Sequence, residues 1–117
     1  MIPAGVQVFL SLEPVDMRYG FERLSGLVRD RIGYEPRSGA LFVFIGKRRE
    51  TAKVLFFDGS GICLFYKRLD RGRFVLPDPP TADVTHVEID DATLENLLDG
   101  IEIEPTGPNS PRPRRLH

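Results

Sequence analysis

Hydrophobic and polar residues alternate along several stretches of this chain, and a period of two predicts β-strands. The first such stretch, ended by Pro14, alternates Val6, Val8 and Leu10 with Gln7, Phe9 and Ser11. Three apolar segments follow at 41–45, 52–57 and 62–69, and short turns join them. We therefore expect an N-terminal strand and, over residues 41–76, an antiparallel meander.

The turns of this meander predict its register. Asp58-Gly59-Ser60-Gly61 is a strong hairpin signal, and a four-residue loop places Phe57 opposite Ile62, Leu55 opposite Leu64 and Lys53 opposite Tyr66. One hairpin face is then wholly apolar and is expected to face the core: Val54, Phe56, Cys63, Phe65 and Leu69. The other face mixes Leu55, Phe57 and Leu64 with Lys53, Tyr66 and Arg68. A second turn at Arg71-Gly72 predicts a fourth strand over 73–76, with Phe74 beside Leu69 on the core face.

Helical spacing appears twice. Apolar residues from Met17 to Ile32 predict a main helix over 16–32, with Asp16 as its N-cap and Gly33 as its C-terminal stop. Gly20 and Gly26 weaken this helix by about 1 kcal/mol each relative to Ala, but they would allow close packing against a sheet. After a returning strand at 84–89, Asp90 or Asp91 is expected to cap a short helix that bears three leucines and ends at Gly100: Leu94, Leu97 and Leu98.

These elements predict an α+β fold: a mostly antiparallel sheet with the main helix packed on one face and a short C-terminal helix. The length of 117 residues suits a single domain, which we place at 1–104, with a final edge strand that includes Ile101 and Ile103. Residues 105–117 are rich in proline and arginine and are predicted to be a disordered tail. The one cysteine, Cys63, lies in an apolar run and is expected to be a buried small hydrophobic residue.

Charge is strongly segregated along the chain, although the formal net charge is only −1. Residues 34–76 contain nine Lys/Arg and four Asp/Glu, whereas residues 77–104 contain nine Asp/Glu and no Lys/Arg. Such segregation suggests two surfaces with different partners, or one segment folded over another; the alternative is that both are simply solvated edges.

The sequence contains no recognisable catalytic constellation. Of the two histidines, His86 lies in a predicted strand and His117 is the last residue, and no metal-ligand spacing or phosphate-binding glycine motif occurs. We therefore expect a protein that is not an enzyme and has no cofactor or metal. The chain also has no signal-peptide pattern and no apolar run long enough to span a bilayer, so a cytoplasmic location is expected.

Basic residues crowd the predicted meander and favour nucleic-acid binding. Cations at its loops can contact phosphates while an aromatic ring stacks on a base. The alternative, about equally favoured by the residues alone, is that these charges are simply solvated and prevent the edges of the sheet from pairing with other strands. The candidate binding residues are Lys47, Arg48, Arg49, Lys53, Tyr66, Lys67, Arg68, Arg71 and Arg73.

Several motifs taken together resemble one family. They are Asp16-Met17-Arg18, Ser38-Gly39-Ala40-Leu41-Phe42-Val43-Phe44, Arg48-Arg49, Lys53-Val54-Leu55, Asp58-Gly59-Ser60-Gly61, Tyr66-Lys67-Arg68-Leu69 and Gly72-Arg73-Phe74. This combination is similar to TnpB, the Orf-two accessory proteins of insertion-sequence family sixty-six. The chain departs from the family at Phe57, Cys63 and Phe65, near which members usually carry tryptophan. The resemblance implies a bacterial protein that assists transposition beside a separate transposase and does not itself cut DNA.

Three partner hypotheses follow. The leading one is DNA, such as element ends or a transposase–DNA complex, bound by the basic loops. The second is a protein adaptor whose acidic segment 78–104 docks the transposase without direct DNA contact. The third is homodimerisation through an exposed strand edge.

Overall fold

The computed structural model describes residues 5–100, which form a five-stranded sheet with a helix on each face. The strands are β1 (Val8–Ser11), β2 (Leu41–Ile45), β3 (Thr51–Phe57), β4 (Ile62–Arg68) and β5 (His86–Ile89). Their order across the sheet is β4-β3-β2-β1-β5, and β1 is parallel to β2 while the other neighbours are antiparallel. The expected α+β fold with a mostly antiparallel sheet is therefore confirmed.

Two helices cover the sheet. Helix α1 (Phe21–Leu27) continues as a π-helical turn over Val28–Ile32, and helix α2 spans Asp91–Leu98. Strand alternation sorts apolar residues into two cores. The core below α1 contains Phe9, Leu24, Val28, Phe42, Phe44 and Leu55, and the core below α2 contains Val8, Leu10, Val43, Val54, Phe74, Leu94 and Leu97. All four residues of β1 are buried because both faces of the sheet are covered.

The main helix begins later than predicted. Its N-cap is Gly20, which makes no side-chain capping bond, so the assignment of Asp16 as the cap is wrong. The reason is that Val15 forms a parallel bridge with Gly46, which ties the chain before the helix to the sheet. The expected stop at Gly33 is confirmed, since this residue has the left-handed φ of 80° that glycine adopts without strain. The expectation of close packing at Gly20 and Gly26 is also wrong, because a Cβ added at either position would have no neighbour within 4 Å.

The predicted β3–β4 hairpin forms with the expected register. Phe57 pairs with Ile62, Leu55 with Leu64 and Lys53 with Tyr66. The Asp58 carboxylate holds the loop by accepting hydrogen bonds from the backbone N–H groups of Ser60 and Gly61, both at 2.9 Å. The expectation of a single core-like face is wrong, because the face with Leu55 packs below α1 while Phe65, on the other face, is 44% exposed.

The fourth strand predicted at 73–76 does not form. After Gly72, which has φ 72°, the chain has no regular secondary structure, and Phe74 and Leu76 pack in the core below α2. Phe74 donates its N–H to the Arg49 carbonyl oxygen at 2.6 Å and buries its ring. Pro77 follows three residues later and lacks the N–H that a longer ladder requires.

The C-terminal part of the described chain agrees with the prediction. Strand β5 pairs with β1, and the Asp90 carboxylate caps α2 by accepting from the Thr93 N–H at 2.7 Å. Gly100 follows α2 with φ 73°. The predicted edge strand at Ile101 and Ile103, the domain limit at 104, the tail at 105–117 and His117 lie outside the described residues. Within residues 5–100, no helix is long and apolar enough to cross a membrane.

Candidate nucleic-acid interface

One end of the sheet gathers most of the predicted cations. The β2–β3 loop (46–50) and the segment after β4 (69–74) lie side by side there. Two backbone hydrogen bonds join them: the Leu69 N–H donates to the Glu50 carbonyl at 2.9 Å, and the Phe74 N–H donates to the Arg49 carbonyl. This arrangement brings six exposed cations to one region, which we name the basic end: Lys47, Arg48, Arg49, Arg68, Arg71 and Arg73.

The β2–β3 loop is tight, so its three cations are closely spaced. The Gly46 N–H donates to the Thr51 carbonyl at 2.9 Å, and the Arg49 N–H donates back to the Gly46 carbonyl at 2.9 Å. Arg49 has a φ of 61°, a left-handed conformation that is uncommon for a residue with a side chain. Three adjacent positive charges are thus held on a short turn, where they repel one another unless an anion lies nearby.

A cleft of about 520 Å³ borders the basic end. One wall is the chain before α1, and the other is formed by the β2–β3 loop and β4; its lining includes Pro14, Val15, Asp16, Met17, Lys47, Arg48, Tyr66 and Arg68. Gly46 lies between the walls, where a Cβ would come within 2.6 Å of the Thr51 Oγ1 and 3.0 Å of the Met17 Cγ. The close approach of the two walls therefore depends on glycine at this position.

Lys53 differs from the other predicted cations because it is buried. It is 7% exposed, and its Nζ donates to the Tyr19 carbonyl oxygen at 2.8 Å. The same Nζ lies 5.0 Å from the centroid of the Tyr66 ring, whose residue is 57% exposed. Lys53 thus supports the aromatic residue from below rather than presenting its charge at the surface.

Lys67 lies on the other face of β4 from Tyr66. Its Nζ is 4.0 Å from the Asp99 Oδ1, beside the C-terminus of α2. Alternation along the strand explains this separation, since successive side chains point to opposite faces. Lys67 is therefore outside the basic end, although it is adjacent in sequence to Arg68.

Two cations near the cleft were not among the predicted residues. Arg18 forms an ion pair with Asp16, with Nη2 and Oδ2 2.7 Å apart, and its hydrogen bonds lower the pKa of that carboxyl to about 2. The Arg23 guanidinium lies 4.3 Å from the centroid of the Tyr19 ring. The only sequence signal was the Asp16-Met17-Arg18 motif, because the position of Arg23 depends on where α1 packs. The positive surface thus extends from the basic end towards α1.

Histidine, cysteine and acidic side chains do not form a metal-binding cluster among the described residues, since no three of them form a group that could hold a metal ion. The His86 ring packs edge-on against Phe9 with centroids 6.1 Å apart, which is a structural role. Cys63 is half-buried, and desolvation raises the pKa of its thiol, which keeps it protonated rather than nucleophilic.

The described part of the acidic segment runs from the loop before β5 to the end of α2. From 77 to 100 it contains seven carboxylates and no Lys or Arg: Asp78, Asp83, Glu88, Asp90, Asp91, Glu95 and Asp99. Asp90 is used as the cap of α2 and Asp99 pairs with Lys67. Glu88, Asp91 and Glu95 are exposed on elements other than those of the basic end. Glu88 pairs with Phe9 and therefore lies on the α1 face of the sheet, whereas Asp91 and Glu95 lie on α2.

Comparison with known proteins gives a family. The model of the TnpB_IS66 family, described as IS66 Orf2-like protein, matches residues 6–108. The uncharacterized protein y4hO of Sinorhizobium fredii (strain NBRC 101917 / NGR234) is 43% identical over 104 residues, which cover 87% of this chain and 88% of that protein. The uncharacterized protein y4jC of the same strain is 32% identical over 98 residues, 84% of this chain and 81% of that protein. No solved structure matches the chain.

The family match includes every motif quoted above and the whole of the basic end. It also agrees with the sequence resemblance to the Orf-two proteins of insertion-sequence family sixty-six. The chain therefore belongs to the TnpB family of IS66 Orf2-like proteins, which implies an accessory role in transposition.

Proposed function

We propose that this accessory protein binds DNA through the basic end, either at element ends or within a transposase–DNA complex. The observation that carries the proposal is the convergence of six exposed cations from two separate stretches of the chain, the β2–β3 loop and residues 68–73. Their close spacing suits the regular phosphates of a nucleic-acid backbone, which arginine can bind with two parallel hydrogen bonds.

The proposed contact is mainly with the backbone. Arg and Lys supply charge for phosphates, and Tyr66 is an auxiliary residue whose exposed ring can stack on an unpaired base at the edge of the cleft. Lys53 and Lys67 are left out of the proposed contact because one is buried and the other is on the far face. The role is non-catalytic: the protein holds DNA while a transposase performs the chemistry.

The proposal is tested by the salt dependence of DNA binding. If all six cations contact duplex phosphates, the slope of log affinity against log salt is about −5. We would measure fluorescence anisotropy of duplex and single-stranded probes at several salt concentrations. Arg48→Ala combined with Arg49→Ala is expected to make the slope shallower by about 2, because two phosphate contacts are lost.

A matched double variant controls for net charge. Arg29 and Arg37 are exposed and lie away from the basic end, beside Phe21 and Ile62, so their replacement by Ala removes the same charge. This control is expected to change the slope by less than about 1. Equal effects of the two double variants would show that charge acts non-specifically, and absence of binding at low salt would reject the proposal.

A second candidate function is the adaptor. It is favoured by the seven carboxylates between 77 and 100 and the lack of any cation there. Glu102 and Glu104, which belong to the same acidic segment, lie outside the described residues. Neutralising Glu88, Asp91 and Glu95 together is expected to abolish capture of the element's transposase if this function holds. Neutralising Glu22 and Asp30, which are exposed on α1 and its π-helical turn, is the control.

A further inference from the structure

Strand β4 is an edge of the sheet, and its outer side is unpaired among the described residues. It is seven residues long and contains no proline, whereas the other edge strand, β5, has only four residues. Long edges without proline or bulges offer a row of free N–H and C=O groups, which makes them templates for another strand.

The hydrogen bonds at both ends of the β3–β4 pair show which groups of β4 face outward. The Asp58 N–H donates to the Gly61 carbonyl, and the Leu69 N–H donates to the Glu50 carbonyl. Since hydrogen-bonded pairs alternate along an antiparallel ladder, the odd-numbered residues of β4 direct their backbone groups to β3. The outward groups therefore belong to Ile62, Leu64, Tyr66 and Arg68.

The side chains along this edge are unusually apolar for a surface. Four large hydrophobic residues are exposed in the described chain, and two of them, Phe65 and Tyr66, are neighbours on β4. A third, Phe21, lines a surface groove with Ile62 of the same strand. Because successive residues point to opposite faces, β4 presents an exposed aromatic residue on each side of the sheet.

We propose that β4 pairs antiparallel with β4 of a second copy of this chain, which joins two sheets into one of ten strands. Full overlap of the strands places Ile62 of one copy opposite Arg68 of the other, and Leu64 opposite Tyr66. In this register, the residues whose backbone groups would hydrogen-bond to the second copy are Ile62, Leu64, Tyr66 and Arg68. These are the same residues whose backbone groups face outward. Four residues in each copy then supply about eight hydrogen bonds across the junction.

The side-chain pairs of this register are compatible. Phe65 lies opposite its own symmetry mate, an aromatic pair of the kind that stabilises sheets. Lys67 lies opposite Cys63, so no like charges face each other. The register is self-complementary around an exposed aromatic residue, which favours a second copy over other occupants of this edge.

The first experiment is disulfide trapping in the full-length chain. In the proposed register the two Phe65 Cα atoms are about 4.5–5.5 Å apart, within reach of a disulfide, whereas the two native Cys63 residues are offset by four positions along the strands, about 13 Å. Phe65→Cys in a Cys63→Ser background is expected to form a covalent dimer when oxidised by glutathione disulfide. The parent is expected not to, and the same variant oxidised in urea is the control for random collision.

The second experiment measures mass by light scattering over about a hundredfold range of concentration, since dimerisation follows mass action. The parent is expected to approach twice 13.2 kDa at the upper end. Phe65→Glu is expected to remain monomeric because it places two carboxylates opposite each other, while Ala82→Glu, which adds the same charge to an exposed loop, is expected to dimerise like the parent. A parent that stays at 13.2 kDa throughout overturns the proposal. A dimer that Phe65→Cys does not cross-link overturns the β4 pairing.

Discussion

Phe74 gives the sharpest test of how the basic end is held together. Its ring is 1% exposed in the core below α2, although the surrounding segment has no regular secondary structure. Replacement of a fully buried phenylalanine by alanine removes its transfer free energy and leaves a cavity, so Phe74→Ala is expected to lower the free energy of unfolding by about 3–5 kcal/mol. The total free energy of unfolding for a chain of this size is about 6–17 kcal/mol, so the variant is still expected to fold.

The effect is measured by urea unfolding. With an m-value of about 1.5 kcal/mol/M, the midpoint is expected to fall by about 2–3 M. Circular dichroism and tyrosine fluorescence are suitable signals because the chain has no tryptophan. The neighbouring Val75 is only half-buried, and Val75→Ala is expected to cost about 1 kcal/mol or less.

A loss below about 1.5 kcal/mol for Phe74→Ala would refute the reasoning, because such a value is typical of a partly exposed residue. It would mean that segment 69–76 is not docked on the sheet. The positions of Arg71 and Arg73 beside the β2–β3 loop would then have no support, since the Phe74 N–H also donates a hydrogen bond that joins their segment to this loop.

Two further predictions concern the cleft and the hairpin. Gly46→Ala is expected to destabilise the protein by about 1–3 kcal/mol because the added Cβ would clash with the Thr51 side chain. In Gly26→Ala the added Cβ has no neighbour within 4 Å, so this variant is expected to stabilise α1 by up to about 1 kcal/mol. Similar melting temperatures for the two variants would contradict this expectation. The pKa of Asp58 is lowered to about 2 in the folded state by the Ser60 and Gly61 N–H groups, against about 3.9 when unfolded, so its stabilisation is present above pH 4 and is lost towards pH 2. Asp58→Ala is therefore expected to lose less stability than the parent between these pH values in urea titrations, and parallel profiles would disprove the assignment.

Local chemistry was sufficient for much of the fold. The hairpin register follows from Asp58-Gly59-Ser60-Gly61, because the loop length and the period of two leave one alignment that pairs Leu55 with Leu64. The stop of the main helix at Gly33 was also predictable, and the cap of α2 was narrowed to Asp90 or Asp91, of which the structure uses Asp90; each satisfies a backbone requirement within a few residues.

Only the tertiary structure decided which residues share a surface. The sequence predicted nine binding residues from the crowding of charge, but burial of Lys53 against Tyr19 and the pairing of Lys67 with Asp99 depend on where α1 and α2 pack. Arg23 comes near the cleft for the same reason. The hairpin face with Leu55 was predicted to be mixed rather than buried, because the sequence does not show that helices cover both faces of the sheet. Neighbouring residues determine short-range hydrogen bonds and periodicity, whereas the composition of a charged surface depends on contacts between segments that are far apart in the chain.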